Sequence, residues 1–166
     1  MRKLVLLAAF TFGAVFFSNV NAQLISDNAI GLRIGDNNGV GTEISYQRAM
    51  GGDNNRLELD LGWRDNRNYD AVKLVGVYQW VWNIEGGFNW YLGAGAGIGS
   101  YNDNRKDDIE YDDGLFALIA GDVGIEYNFD FPLLLSLDFR PEITFSGYSE
   151  SKDFGPDIAL GIRYQF

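Results

Sequence analysis

Apolar and polar residues alternate with period 2 along the chain from about residue 29, in runs broken by clusters of Gly, Asn and Asp. Such alternation puts successive side chains on opposite faces of an extended strand, and the Gly, Asn and Asp clusters are where the backbone turns. The pattern predicts eight strands, near 29–35, 41–50, 56–65, 70–84, 88–102, 115–129, 133–146 and 157–166. None of these segments carries helical periodicity. An even number of strands suits an antiparallel barrel with both chain ends on one side. The expected fold class is therefore all-β: an eight-stranded antiparallel up-and-down transmembrane β-barrel.

The connections add a weaker signal. The second, fourth and sixth, around Gly51–Asn55, Glu85–Gly87 and Asp130–Pro132, are short. Two odd-numbered ones, 102–114 and 147–156, are longer, while the first and the one near 64–69 are not, so the asymmetry is partial. Short turns at one end and longer loops at the other are the arrangement of outer-membrane barrels.

Sorting by parity sharpens this. One face carries Leu57, Leu59, Leu61 and Trp63 in the third strand, and Val72, Leu74, Tyr78, Trp80 and Trp82 in the fourth. On the same parity lie Ile119, Val123 and Ile125, then Leu135, Leu137 and Phe139, then Ile158, Leu160 and Ile162. The opposite parity holds Arg33, Glu43, Glu58, Asp60, Arg64, Lys73, Asp122, Glu126, Asp138, Arg140, Glu142 and Arg163. Both signs are interspersed there, as an interior network of structural ion pairs would require. A charge facing mid-bilayer hydrocarbon costs about 2–4 kcal/mol, so lipid exposure demands this segregation. A soluble exported ligand-binding barrel of the lipocalin kind would alternate in the same way with the faces reversed.

The aromatic residues separate the two cases. With the first strand running outward from the periplasm, Trp80, Trp82, Trp90, Tyr127, Phe129, Tyr164 and Phe166 all fall at one level and share the apolar parity. Tyr and Trp favour the membrane–water boundary, where a flat amphipathic ring keeps one edge wet. A belt about 25 Å tall needs roughly ten residues per tilted strand, which most segments supply, though the first looks short.

The amino terminus supports export. Met1-Arg2-Lys3 is basic, Leu4 to Phe17 is apolar, and Asn19-Val20-Asn21-Ala22 precedes an expected cut ahead of Gln23. That is a signal peptide over 1–22, leaving a barrel domain over 23–166. The 166 residues include no cysteine, so export does not serve a disulfide framework, and no histidine, which removes the commonest general base and metal ligand. Net charge is −10, and losing Arg2 and Lys3 takes it to about −12. An acidic exported chain has no electrostatic case for nucleic acid. Twenty-one glycines, 15% aromatics and three prolines fit Gly-rich β-structure, and no run after the leader is long and apolar enough for a transmembrane helix.

Two local features stand out. Gly93, Gly95, Gly97 and Gly99 share the interior parity of the fifth strand, opening space that Arg140 or Tyr91 is expected to fill. A phosphate cradle there would need a following helix amino terminus, and none follows. Pro141 lies within a strand, where its missing N–H predicts a bulge or distorted pairing.

The sequence ends on Leu160-x-Ile162-x-Tyr164-x-Phe166. With Gly76 to Gly99 and Asp138-Phe-Arg-Pro-Glu142, this pattern resembles the small outer-membrane β-barrels of Gram-negative bacteria, the OmpX-like proteins and the transmembrane domain of OmpA-like ones. The resemblance spans the chain after the leader. It implies an eight-stranded barrel in the outer membrane without an open pore, an assembly signal at Leu160, Ile162, Tyr164 and Phe166 read by the barrel-insertion machinery, and a monomer surrounded by lipid. Ending at Phe166 implies that no peptidoglycan-binding domain follows.

Little chemistry is implied. Without histidine no Ser-His nucleophile can be assembled, so no enzymatic activity and no cofactor are expected. The paired acids Glu58 with Asp60 and Asp138 with Glu142 are read as ion-paired, and the oxygen-rich stretch Asn102–Asp113 lacks the fixed ligand spacing of a calcium loop. A structural or surface-interaction barrel is thus the leading expectation. The alternatives are a narrow channel for ions or small solutes and the soluble exported barrel.

Overall fold

A computed structural model describes residues 25–36, 40–51, 54–65, 69–103, 114–146 and 154–166. The expected leader (1–22), most of the 102–113 acidic stretch and 147–153 lie outside the described residues. Eight strands form a closed barrel in which each pairs antiparallel with its sequence neighbours and β1 with β8. They are β1 (Asn28–Asp36), β2 (Val40–Ala49), β3 (Asn55–Asp65), β4 (Tyr69–Glu85), β5 (Phe88–Asp103), β6 (Gly114–Asn128), β7 (Leu133–Ser146) and β8 (Phe154–Gln165). Closure leaves no unpaired edge, the condition for strands to cross hydrocarbon, where no water can satisfy a free N–H or C=O. The seam is tied at its end by Asn28 N–H donating to Phe166 O (3.1 Å) and Phe166 N–H to Asn28 O (2.9 Å).

The three short connections share one end of the barrel with these termini. The tightest joins β4 to β5 through Gly86-Gly87, with Gly86 at φ 56°, a left-handed conformation that favours glycine. Asn83 braces it, its side-chain amide donating to Gly86 O at 2.9 Å and Phe88 O at 3.1 Å. A register shift lies here, between Asn83 and Glu85.

At Pro141 the pairing is distorted, as expected, but without a bulge. The β6–β7 ladder lapses across Gly121–Asp122 and Arg140–Pro141, yet the register is the same on either side, Ala120 opposite Glu142 and Val123 opposite Phe139. On its other flank Pro141 faces Pro156, so neither residue of that pair has a donor to lose. Most strand ends shift by one residue from expectation, and two differences matter. Phe129 falls in the turn after β6, and β8 starts at Phe154, three residues before the alternation becomes regular.

The β5 glycines are filled differently from expectation. A Cβ on Gly93 would meet Val77, Gln79 and Asp122 side chains, and one on Gly95 would lie 2.1 Å from Gly76 O. The space is taken by β4 backbone and by residues of β4 and β6, and Arg140 is not among the closest. Tyr91 instead lies over Gly124, whose Cβ would sit 2.5 Å from the phenol ring. The glycines allow close strand approach on this flank rather than a void.

Candidate functional site: barrel interior and lipid-facing belt

Alternation around a closed sheet gives two surfaces. Facing in, Arg33, Arg140, Arg163, Glu58, Asp60 and Asp157 are buried to within 1% exposure. Facing out, Leu59, Leu61, Leu74, Trp80, Val123, Leu137, Leu160 and Ile162 are each between 39% and 49% exposed. An ordinary soluble protein has the reverse arrangement. A band of large apolar side chains around a charged core is stable only where the surrounding solvent is hydrocarbon.

Within the interior Arg33 and Arg140 are each shared among acids from several strands, and Arg163 ties one acid to two serines. Arg33 meets Glu43 at 2.9 Å, Asp157 at 2.7 Å and Asp138 through Nε at 3.0 Å, linking β1 to β2, β8 and β7. Arg140 of β7 reaches across the axis to β3, with NH2 2.7 Å from Glu58 Oε1 and NH1 2.8 Å from Asp60 Oδ2. The second contact is close but off the hydrogen-bonding line. Arg163 NH2 lies 3.1 Å from Glu58 Oε2, while its Nε and NH1 donate to Ser45 and Ser136 hydroxyls at 2.9 and 2.7 Å. Lys73 spans Glu43 (3.1 Å) and Glu142 (2.7 Å). Glu58 and Asp60 both face Arg140, Asp138 faces Arg33, and Glu142 faces Lys73, so each expected acid pair is resolved into cation contacts. The Arg64 side chain lies outside the described ones.

Sequence reading missed several members. Arg56 is buried, its NH2 2.7 Å from Glu126 Oε2, its Nε donating to Gln79 Oε1 at 2.6 Å, and its guanidinium 4.9 Å from the centre of the Tyr91 ring. Asp157 is the third acid on Arg33. Gln79 donates to Asp122, and Gln47 to Glu58. All of them sit on the parity of residues already assigned inward, Arg56 with Glu58 and Asp157 with Arg163, so the signal was present. Nor is the interior wholly ionic. Val75, Val77, Leu118 and Ala120 pack with Phe116 on the β4–β6 side, and Ile25, Val81 and Tyr91 close the end near the termini.

Of the expected belt aromatics, Trp80, Trp82, Trp90 and Phe166 are exposed outward, while Tyr127, Phe129 and Tyr164 are half-buried. Trp82 stacks on Trp90 with ring centres 4.5 Å apart, and Tyr127 links Phe88 (4.6 Å) to Phe129 (4.7 Å). Leu160, Ile162, Tyr164 and Phe166 all point to the outer face of β8.

No protein-family model and no curated protein sequence matches this chain. Solved structures do. The N-terminal β-barrel domain of Pseudomonas aeruginosa OprF matches with a TM-score of 0.69 and 13% identity over 85% of this chain and 98% of that one. Neisserial surface protein A gives 0.65 and 10% identity over 84% and 94%. The chain has the fold of the small outer-membrane β-barrels. That fold does not by itself fix an activity. The outer membrane enzyme PagL also matches, with a TM-score of 0.50 and 10% identity over 83% of this chain and 99% of that one.

Proposed function

We propose that this small outer-membrane-type barrel is a structural and surface-interaction component of the outer membrane, sealed to solutes and without catalytic activity. The observation that carries this reading is the filled axis. Arg33, Arg140, Arg163 and Tyr91 are the largest fully buried side chains, and each is tied to or packed against several strands. An eight-stranded barrel has room inside for little more than its own side chains. The missing histidine supports the non-catalytic part. On this reading residues 1–22 are a cleaved leader, 23–166 form the barrel, the β8 pattern engages the insertion machinery, and the monomer contacts lipid all round.

One observation favours a narrow cation path instead. Among the described residues, carboxylates of the interior (Glu43, Glu58, Asp60, Asp122, Glu126, Asp138, Glu142, Asp157) outnumber its cations (Arg33, Arg56, Lys73, Arg140, Arg163) by three. Planar-bilayer recording of the purified, folded barrel distinguishes the readings. The sealed interior predicts a baseline identical to that of protein-free bilayers, and reproducible cation-selective steps would reject it.

A further inference from the structure

The lipid-facing belt does not have one height. On β1 its apolar members are Ile30, Leu32 and Ile34, and the next positions of that parity are Asn28 and Asp36. Asn28 Oδ1 accepts a hydrogen bond from the Tyr46 hydroxyl (2.7 Å), and Arg48 is exposed one outward position beyond Tyr46. The β3 belt runs from Leu57 to Trp63 between Asn55 and Asp65. Across the barrel it runs from Val72 to Ile84 on β4, Leu115 to Tyr127 on β6 and Leu133 to Phe145 on β7. At about 3.3 Å per residue and a tilt near 40°, these stretches rise about 10 Å on β1, about 15 Å on β3 and about 30 Å on β4, β6 and β7.

A hydrocarbon layer about 25 Å thick matches the tall flank and exceeds the short one. Rigid tilting cannot reconcile them, because it shifts each flank along the membrane normal without lengthening either belt. Snorkelling of Arg48 recovers only the length of one side chain. The remaining adjustment falls on the lipid, whose chains tilt and disorder beside a belt that is too short. We propose that the barrel holds the bilayer locally thin beside β1–β3 and at normal thickness beside β4–β7, which makes the short flank an entry point for lipid disorder. The proposal rests on the transmembrane reading and adds a polarity to it.

Spin labels test it cleanly, because the chain has no cysteine of its own. Single Ile30→Cys, Leu32→Cys, Ile34→Cys, Val72→Cys, Tyr78→Cys and Ile84→Cys variants are labelled, and the purified protein is reconstituted alone in dioleoylphosphatidylcholine vesicles. Folding is checked by heat-modifiable gel mobility, and collisions with oxygen and with a water-soluble nickel chelate are measured. Nickel access at Ile30 and Ile34 should match that at Val72 and Ile84 and exceed that at Tyr78 several-fold, so that five residues on one flank cross what thirteen cross on the other. Adding Asn28→Leu and Arg48→Leu should lower nickel access at Ile30. Labels at Ile30 and Ile34 as oxygen-rich and nickel-poor as Tyr78 would overturn the proposal and leave the transmembrane reading intact. Nickel reaching both Leu32 and Tyr78 freely would mean that the transmembrane reading itself fails.

Discussion

Arg140→Leu is expected to destabilise the barrel by about 3–5 kcal/mol, because removing one partner of a buried ion pair leaves the other charge uncompensated. Four carboxylates meet this guanidinium at increasing range: Glu58 at 2.7 Å, Asp60 at 2.8 Å, Glu43 at 3.6 Å and Asp122 at 3.9 Å. Arg163 remains on Glu58, and Arg33 and Lys73 on Glu43, but Asp60 and Asp122 have no other cation among the described ion pairs. The loss should appear as a lower urea midpoint in lipid vesicles, read from the heat-modifiable gel shift. Asp60→Asn in the same chain should restore part of it, since the nearer of the two acids left without a cation is then neutral. A midpoint shift worth less than about 1 kcal/mol of unfolding free energy, the value of an exposed pair, would mean that the network contributes little.

The second large effect lies on the opposite face and depends on depth. Val123 is near the middle of the β6 belt and 42% exposed, whereas Leu115, at the end of β6 away from the termini, is 81% exposed. Val123→Arg should cost about 2–4 kcal/mol in a bilayer and Leu115→Arg about 0–1 kcal/mol, because the desolvation of a charge in hydrocarbon fades toward the headgroups. Equal costs at the two positions would argue that β6 does not cross the layer.

Much of this molecule was legible in its sequence because one physical rule governs nearly every residue. With hydrocarbon outside and a narrow core inside, a one-residue slip would put Asp60 or Arg163 into lipid, so register is written in plain parity. Strand ends were harder. Phe129 continues the alternation of β6, yet it lies in the turn, because Phe129 N–H bonds back to Leu133 O (3.1 Å). At Pro141 the expected distortion is present without a bulge, because pairing with β6 lapses across Arg140–Pro141 while the register stays the same. The partner across β8 is Pro156, and register is held by the neighbouring pairs. Interior partners were the least legible. Parity says that Arg33 points inward, but not that it meets β2, β7 and β8 at once, since that depends on the curvature and stagger of the closed sheet. Equally, alternation cannot show that Gly124 clears the ring of Tyr91, or that Val75 and Leu118 make part of the core apolar.

All four tryptophans, Trp63, Trp80, Trp82 and Trp90, face outward at 39–47% exposure, which makes them native reporters of what surrounds the barrel. The most direct measurement is their fluorescence in vesicles of phosphatidylcholine brominated on the acyl chains, compared with unbrominated vesicles and with iodide added to the water. Hydrocarbon outside the cylinder predicts strong quenching by the brominated chains and little by iodide. Emission untouched by bromine and quenched by iodide would place these rings in water and contradict the inside-out arrangement.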